Sequence, residues 1–335
     1  MAGMKAMVLA AGLGDRMRPL TDYLPKPLLP IANRPVMCHI LEHLARHGFT
    51  EIIANLHYRP QPVMDYFGDG SRCGVHLTYS HEEKLWGIAG GVRRCRDFLG
   101  DDTFLVIGAD DLTDMDLSAL LGHHRRVGAI ASIGLAEVEE TSQFGIVVTD
   151  EEGRVQRFVE KPKGPAPSKT ANTQIYLFEP EVFDFIPPDQ VYDFGFQVFP
   201  AMVAAGVPFY GFRLPGYWRD IGSISDYLAA QPDVLERRVA VRVDGREIEP
   251  GLWLGEECQV HPQAKLTPPL ILGDRCAVGA QASLGGGTAL GPEVRVPEGS
   301  RLWRVVVWAG ARLPAEVSLC RSVVTREGIC QGLVD

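Results

Sequence analysis

A glycine-containing loop near the beginning of the chain is followed closely by cationic side chains. The apolar run of residues 7–11 stops at Gly12 and Gly14, and Arg16, Arg18 and Lys26 come shortly afterwards. Glycines leave backbone N–H groups accessible, and cations neutralise anionic oxygens, so the two features together suit phosphate groups. The spacing predicts a binding site for a nucleoside triphosphate.

Two better-known phosphate loops do not fit this stretch. The dinucleotide fingerprint needs a third glycine where Met17 stands, and the Walker loop needs Gly-Lys-Ser/Thr, which is absent here. What remains is Gly-x-Gly-x-Arg-x-x-Pro-Leu-Thr with Pro-Lys-Pro a few residues later. This string resembles the signature of the sugar-phosphate nucleotidyltransferases, or NDP-sugar pyrophosphorylases, and the overall pattern is most similar to their mannose-1-phosphate guanylyltransferase branch.

The resemblance implies Mg²⁺-dependent transfer of a nucleoside monophosphate, here from GTP, to a sugar 1-phosphate, here mannose 1-phosphate, giving an NDP-sugar and pyrophosphate. Arg16 would clamp the β- and γ-phosphates, with Lys26 beside it. Because the sugar phosphate is already ionised, the reaction needs no general base and no covalent intermediate. The residues implied to face the base and phosphates in this loop are Leu9, Ala10, Gly12, Gly14, Arg16 and Lys26.

Two aspartates correspond to the metal ligands of the family. Asp110 ends the apolar run 104–109, and a strand-end carboxylate at the carboxyl edge of a parallel sheet suits Mg²⁺. Its usual partner is Asp220, within Tyr-Trp-Arg-Asp-Ile-Gly at residues 217–222. Mg²⁺ needs few protein carboxylates when phosphate oxygens are available, so these two suffice.

The sugar side is implied by residues 158–162, which resemble the Glu-Lys-Pro motif of the family. Glu160 would accept hydrogen bonds from sugar hydroxyls, and Lys161 would pair with the sugar phosphate. Gly145 would let the sugar approach the backbone, and Asn172 would touch it. Gln174 stands where the family has glycine, so this pocket departs from the pattern.

Residues 82–91 resemble the nucleobase-binding Leu-Gly-Thr-Ala-Gly loop, with Trp86 and Ile88 in place of its leucine and threonine. The resemblance implies nucleotide contacts from Glu82, Gly87 and Ala89. The sequence decides neither base nor sugar. Another triphosphate, and an uncommon acceptor such as a heptose or cyclitol phosphate, therefore stay open.

An alternative of another class is a non-catalytic regulatory paralogue that uses the fold for assembly. It is disfavoured because all five charged residues implied in catalysis are retained: Arg16, Lys26, Asp110, Lys161 and Asp220. Asp15, an additional carboxylate in the phosphate loop, must turn away or meet the metal, since like charges repel.

The elements that position these residues alternate along the first part of the chain. Short apolar runs alternate with segments of helical period from residue 5 to about 135, and strands with a last helix near 223–230 continue to residue 232. Repeated β-α-β units predict an α/β fold, a doubly wound, mainly parallel sheet of Rossmann type whose ligands lie at the carboxyl ends of the strands. We expect residues 1–235 to form the catalytic domain.

Beyond Pro232 the pattern changes to a hexapeptide repeat, which predicts a short β-helix over residues 236–335. It resembles the left-handed β-helix that many family members carry, and we expect it to assemble a homo-oligomer. A hexapeptide acyltransferase site is disfavoured because His261 is the only histidine in the tract. The apolar positions six residues apart run through Leu254, Val260, Leu266, Leu272, Val278, Leu284, Leu290, Val296, Leu302 and Trp308.

Composition excludes several classes of protein. The formal net charge is −9, so no general attraction to nucleic acid or an anionic membrane is expected. The chain has seven cysteines without a Cys-x-x-Cys pair and no apolar run of membrane-spanning length. These features predict a cytoplasmic protein.

Three histidines at helical spacing, His39, His43 and His47, could in principle hold a transition metal. No carboxylate or cysteine completes such a site, so we expect a solvated or interface face of the first helix.

Overall fold

The computed structural model describes residues 3–331, which form two compact units. Among the described residues, unit 1 contains 3–13, Ile40–Asp111 and Met115–Trp218, and unit 2 contains Gly14–His39, Leu112–Asp114 and 219–331. Both units are assembled from separate stretches of the chain, so they do not coincide with the predicted domains 1–235 and 236–335. That division remains a prediction.

The longest helix has 12 residues, and no helix within residues 3–331 is long and apolar enough to cross a membrane. The helices are α1 (Leu20–Tyr23), α2 (Val36–Arg46), α3 (Pro60–Phe67), α4 (Gly87–Arg94), α5 (Arg96–Leu99), α6 (Leu117–Val127), α7 (Phe199–Ala204) and α8 (Ile224–Leu235). Short 3-10 turns lie at Asp15–Met17, Lys26–Leu28, Ser71–Cys73 and Pro180–Phe185, and a π-helical turn lies at Phe194–Val198.

The first strands are β1 (Met4–Leu9), β2 (Pro30–Ile31), β3 (Arg34–Pro35), β4 (Phe49–Leu56), β5 (His76–His81), β6 (Phe104–Gly108), β7 (Asp111–Thr113), β8 (Ala131–Glu137), β9 (Gly145–Thr149), β10 (Val155–Glu160), β11 (Thr170–Phe178), β12 (Phe209–Arg213) and β13 (Trp218–Asp220). The later strands are β14 (Arg246–Glu249), β15 (Leu252–Leu254), β16 (Gln259–Val260), β17 (Lys265–Leu266), β18 (Leu270–Leu272), β19 (Ala277–Val278), β20 (Ser283–Gly285), β21 (Thr288–Leu290), β22 (Arg295–Val296), β23 (Arg301–Val307), β24 (Ser318–Val324) and β25 (Ile329–Gln331).

Unit 1 is built on a nine-stranded sheet in the order β10-β9-β11-β6-β1-β4-β5, with β8 paired to β11 and β12 paired to β8. The pairs β6-β1, β1-β4 and β4-β5 are parallel, as the alternating pattern predicts. Strand β11 is antiparallel to β6, β8 and β9. The Rossmann-like fold is therefore confirmed, with a mixed sheet in which β10 and β11 run antiparallel to the other strands.

The four parallel strands end at one edge of the sheet. Strand β1 leads into the glycine loop, β6 leads into Asp110, and Glu82 directly follows β5. Because parallel strands present their carboxyl ends together, ligands of doubly wound sheets bind at this edge. The residues of unit 1 that the sequence predicts to contact the nucleotide therefore lie at the carboxyl edge of the sheet.

A cluster of aromatic side chains packs behind the sheet. Tyr176 and Phe178 on β11 contact Phe194, with ring centroids 5.4 and 5.0 Å away. Phe194 in turn stacks on Phe199 at 5.3 Å. Burial of such large rings stabilises the packing of β11 against the π-helical turn.

In unit 2 the hexapeptide repeat forms a parallel β-helix, as predicted. Leu252 pairs with Leu270 and Leu272 with Leu290, a separation of 18 residues, or three hexapeptides per coil. Strand β14 pairs antiparallel with the first coil and β25 with the last. The interior is filled by the repeat positions predicted to be apolar, among them Leu272, Val278, Leu284, Leu290, Val296 and Leu302.

The last predicted repeat position is wrong by one residue. Leu290 pairs with Val307, which is 1% exposed, and Trp308 is only half-buried. Strand β23 bends at Arg304, which has a left-handed backbone conformation. From Leu302 to Val307 the strand advances five residues, whereas the paired stretch from Leu284 to Leu290 advances six. The repeat therefore slips from six residues to five between Leu302 and Val307.

The last helix before the repeat extends further than the sequence suggests. Ser223 caps α8 by accepting a hydrogen bond from the Asp226 N–H at 3.1 Å, and the helix continues through Pro232 to Leu235. Pro232 packs closely on Gly287 of the β-helix, where an added Cβ would lie 2.7 Å from its Cδ. Packing within unit 2 thus outweighs the helix-breaking tendency of proline.

The predicted solvated or interface face of His39, His43 and His47 is wrong for the first two residues. His39 and His43 are 2% and 1% exposed. Their Nε2 atoms bond the carbonyl oxygens of Ile31 at 3.1 Å and Met115 at 2.9 Å, respectively. Backbone carbonyl partners allow neutral imidazoles to be buried, so these are core histidines.

Candidate active site

The cations of the phosphate loop lie against a predicted metal ligand in unit 2. The Arg16 guanidinium is 3.7 Å and the Lys26 ammonium 3.8 Å from different oxygens of the Asp220 carboxylate. Gly222 leaves space for them, since a Cβ there would lie 2.9 Å from Asp220 Oδ2 and 3.1 Å from both terminal nitrogens of Arg16. Three of the predicted site residues are thus brought together by the structure.

The two loop glycines serve different purposes. Gly14 has φ 70°, and its carbonyl accepts a hydrogen bond from Thr21 Oγ1 at 2.9 Å, which fixes the turn. A Cβ on Gly12 would meet none of the described residues within 4 Å. Packing therefore does not require glycine at position 12, whereas close approach of a phosphate to the backbone would.

Asp15 turns away from the cations on Asp220. Its Oδ1 lies 3.1 Å from the guanidinium of Arg18, which also approaches Asp22 at 3.5 Å. The additional carboxylate of the loop is therefore compensated by a neighbouring arginine on the exposed surface.

On the nucleotide side of unit 1, Asn55 joins two predicted elements. Its Oδ1 accepts the Ala10 N–H at 2.9 Å, and its Nδ2 donates to Glu82 Oε1 at 2.8 Å. Glu82 is only 2% exposed. Sequence reasoning missed Asn55, whose only signal was a polar residue at the end of the apolar strand β4.

The base loop is fixed by backbone contacts. The Gly90 N–H donates to the Tyr192 carbonyl at 3.0 Å, and the Tyr192 N–H donates to the Trp86 carbonyl at 2.8 Å. Gly87 has φ 72°, and a Cβ there would lie 2.4 Å from the Tyr192 oxygen, so glycine is required. Ala89 is fully buried, backbone included, and Leu9 is half-buried.

Two carboxylates converge directly after β6. A Cβ on Gly108 would lie 2.3 Å from Asp111 Oδ2 and 2.9 Å from Asp110 Oδ1. Potential ligand atoms of the two aspartates lie within 4.8 Å of one another. Asp111 is 2% exposed and accepts a hydrogen bond from Trp218 Nε1 at 3.1 Å. Sequence reasoning missed Asp111, although the Asp-Asp doublet was visible.

This arrangement fits a divalent cation of the Mg²⁺ type. Such cations prefer oxygen ligands, and paired carboxylates are costly to bury without a counter-charge. The strand-end glycine provides the space in which the two carboxylates can meet.

Two glycines of unit 1 make room for the carboxylate of Glu160, a residue predicted to contact the sugar. A Cβ on Gly145 or on Gly195 would lie 2.8 or 2.5 Å from Glu160 Oε2. Burial, with Asp193 nearby, raises the pKa of Glu160, and Lys161, whose ammonium is 3.9 Å away, opposes that shift. Lys161 itself remains largely exposed, so it is available to an anion.

Asn172 is buried and hydrogen-bonded within its own strand, whereas Gln174 is more exposed. Asn172 is 8% exposed, and its amide bonds the Tyr176 hydroxyl at 2.8 Å and the Gln174 N–H at 2.9 Å. Gln174 is half-buried and has φ 59°. The predicted sugar contact of Asn172 therefore competes with bonds inside its own strand.

Comparisons with known proteins agree with these features. A sequence model described as nucleotidyl transferase matches residues 5–237. The UTP-glucose-1-phosphate uridylyltransferase of Synechocystis sp. is 43% identical over 267 residues, covering 75% of this chain and 69% of that protein. The mannose-1-phosphate guanylyltransferase of Mycobacterium tuberculosis is 36% identical over 311 residues, covering 92% of this chain and 81% of that protein.

Solved structures show the same fold. A Bacillus anthracis protein described as a glucose-1-phosphate thymidylyltransferase, in complex with sucrose, matches 68% of this chain and 93% of its own length with a TM-score of 0.63 at 27% identity. A UDP-glucose pyrophosphorylase bound to UDP-glucose matches 68% and 97% with a TM-score of 0.60, and its 21% identity supports the fold alone. The chain therefore belongs to the nucleotidyl transferase family and is a sugar-1-phosphate nucleotidyltransferase.

Proposed function

We propose that this chain transfers the guanylyl group of GTP to mannose 1-phosphate, releasing pyrophosphate. The observation that carries the choice of GTP is the buried Glu82 carboxylate, which Asn55 holds at 2.8 Å at the nucleotide side of unit 1. Relatives named mannose-1-phosphate guanylyltransferase align over 92% and 96% of the chain, into the β-helix.

The chemistry of Glu82 favours guanine. An ionised carboxylate only accepts hydrogen bonds, and the Watson–Crick edge of guanine offers it two neighbouring donors, the N1–H and the N2 amino group. The corresponding edge of uracil has one N–H between two carbonyl oxygens, which a carboxylate would repel. Gly91 makes room for this carboxylate itself, since a Cβ there would lie 2.7 Å from Glu82 Oε1.

The reaction needs charge neutralisation more than proton transfer. An oxygen of mannose 1-phosphate attacks the α-phosphorus of GTP, and the bond to the bridging oxygen of the β-phosphate breaks, so pyrophosphate leaves. Arg16 and Lys26 hold the β- and γ-phosphates and stabilise the charge that develops there. Lys161 pairs with the attacking phosphate and Glu160 accepts hydrogen bonds from the sugar, with Gly145 leaving space for it.

Asp110 and Asp220 are the proposed ligands of Mg²⁺, and Asp111 is a further candidate because its carboxylate meets Asp110 over Gly108. The bound cation would supply charge neutralisation between the two phosphate substrates. Arg16 and Lys26, 3.7 and 3.8 Å from the Asp220 carboxylate, would neutralise phosphate oxygens, and Asp220 would be one of the residues that hold the metal.

A second candidate is transfer from UTP to glucose 1-phosphate. It is favoured by the 43% identity to the uridylyltransferase of Synechocystis sp., which exceeds the 36% identity to the guanylyltransferase of Mycobacterium tuberculosis. That alignment covers only 75% of this chain, however, whereas the alignment with the guanylyltransferase covers 92%.

The substitution Glu82→Gln tests the choice of base. It exchanges one acceptor oxygen for an amino group, so kcat/KM with GTP should fall by about a hundredfold while UTP is affected less. The exposed neighbour Glu83→Gln is the matched control and should leave the GTP/UTP ratio unchanged. An unchanged ratio in Glu82→Gln would remove this residue from base recognition and with it the main support for GTP.

We also propose that residues 236–335 assemble a homo-oligomer and that the enzyme works in the cytoplasm. Large apolar side chains on the β-helix strands support assembly, with Trp303 49% and Ile248 51% exposed. The seven cysteines without a Cys-x-x-Cys pair support a reducing compartment.

A further inference from the structure

Strand β11 carries an irregularity immediately after Asn172. Asn172 pairs with Leu135 and Tyr176 with Ile133, so β11 advances four residues while β8 advances two. The extra residues include Gln174, whose φ of 59° lies in the left-handed region that disfavours residues with a Cβ. Thr173 anchors the irregularity by donating from Oγ1 to the Gly134 carbonyl at 2.7 Å.

Two hydrogen bonds of the Asn172 side chain, to the Gln174 backbone and to Tyr176, stabilise this conformation. Asn172 Oδ1 accepts the Gln174 N–H at 2.9 Å, and Asn172 Nδ2 donates to the Tyr176 hydroxyl at 2.8 Å. Asn172 and Tyr176 are 8% and 2% exposed. Both ends of the Asn172 amide are therefore engaged within the strand, whereas Gln174 is half-buried beside them.

The strand register places Asn172 next to residues of β9 and β10 that are predicted to contact the sugar. Glu160 pairs with Gly145 across β10 and β9, and Ala171 pairs with Ile146 across β11 and β9. Asn172 is thus the next position along β11 beside Gly145, and Gln174 follows it. Burial raises the pKa of Tyr176, so its hydroxyl keeps its proton at neutral pH.

We propose that Gln174 reads the acceptor sugar and that Asn172 and Tyr176 are positioning residues that hold its strained backbone. This inference rests on the proposed function. An amide both donates and accepts hydrogen bonds, so it would select sugar 1-phosphates that present a free ring hydroxyl to it. It would reject analogues that lack that hydroxyl, because the amide, covered by the bound sugar, would lose its hydrogen-bond partner.

The test compares the full-length enzyme with Gln174→Gly on mannose 1-phosphate and on analogues that each lack one ring hydroxyl. For one analogue, kcat/KM of the natural enzyme should fall by about tenfold or more, whereas Gln174→Gly should treat that analogue and its parent alike. The KM for GTP should not change. Glycine adopts positive φ without strain, so thermal unfolding should show that the variant remains folded.

Two further variants separate reading from positioning. Gln174→Asn keeps an amide and tolerates the left-handed backbone, so it should restore part of the discrimination. Tyr176→Phe should raise the KM for the sugar more than it changes kcat. If Gln174→Gly discriminates among the analogues as the natural enzyme does, Gln174 does not read the sugar. If the natural enzyme forms no nucleotide sugar from any sugar 1-phosphate, the proposed function fails as well.

Discussion

Asn55 donates a hydrogen bond from its amide nitrogen to the Glu82 carboxylate at 2.8 Å and accepts the Ala10 N–H at 2.9 Å. These two bonds connect the end of β4 with the residue after β1 and the residue after β5. Because Ala10 belongs to the glycine loop and Glu82 to the base loop, Asn55 aligns both loops within unit 1.

Replacing Asn55 with alanine should destabilise the protein and weaken nucleotide binding. The change leaves the buried Glu82 carboxylate without this donor, which costs about 1 to 3 kcal/mol. Urea unfolding and the KM for GTP measure both effects. Gln61→Ala, which removes an exposed amide bonded to Asp65, is the matched control and should change the unfolding free energy by less than about 0.5 kcal/mol. Equal effects of the two substitutions would contradict the alignment role.

Asp110→Asn should lower turnover by about a hundredfold or more while the protein remains folded, because the variant loses a ligand charge for Mg²⁺. Initial rates across a range of Mg²⁺ concentrations, with thermal unfolding alongside, measure this. Asp101→Asn removes an exposed carboxylate and is the control. Full activity of Asp110→Asn, or of the natural enzyme in excess EDTA, would show that the aspartate assignment is wrong.

Stability should fall as the pH drops below about 6.5. Burial lowers the pKa of His124, and its bond to Glu179 only partly offsets this. The unfolded chain therefore binds the proton more readily, so unfolding becomes easier as the pH falls. Urea midpoints between about pH 7.5 and pH 5.5 should fall less steeply in His124→Gln than in the natural protein. Equal slopes would contradict this origin, and the exposed His76→Gln serves as control.

Light scattering of the full-length chain at micromolar concentration should give a mass above that of one chain. Trp303→Ala should shift the mass downward, because it removes an exposed indole of the β-helix, whereas Tyr66→Ala, exposed in unit 1, should not. The full chain is needed, since the Trp308 indole donates to the Tyr227 hydroxyl of α8 at 3.1 Å and truncation would break this contact. A single-chain mass would contradict the proposed assembly.

The sequence predicts the strands and the hexapeptide repeat well because both follow simple periodicities of burial. It fails where a tertiary partner decides the outcome. His39 and His43 can be buried because the carbonyl oxygens of Ile31 and Met115 accept hydrogen bonds from their rings. Helical periodicity carries no information on such partners. The shift of the last interior position from Trp308 to Val307 depends on one turn of the backbone at Arg304, which the repeat pattern does not reveal.

The candidate site shows the same division. Residues in continuous motifs, such as Arg16 and Lys26, could be predicted from the sequence, and the structure brings both to Asp220. Asn55 could not, because an isolated polar residue at a strand end has many ordinary roles. Asp111 was missed because an Asp-Asp doublet does not by itself show that both carboxylates converge over Gly108. The left-handed backbone of Gln174, a conformation that favours glycine, could not be predicted from the sequence either.

The most direct test of the account is pyrophosphate release by the purified full-length enzyme with Mg²⁺, using GTP, UTP, ATP and CTP, each with mannose 1-phosphate and glucose 1-phosphate. We expect kcat/KM for GTP with mannose 1-phosphate to exceed that for UTP with glucose 1-phosphate by about a hundredfold. The opposite order would contradict the account and establish the uridylyltransferase candidate instead.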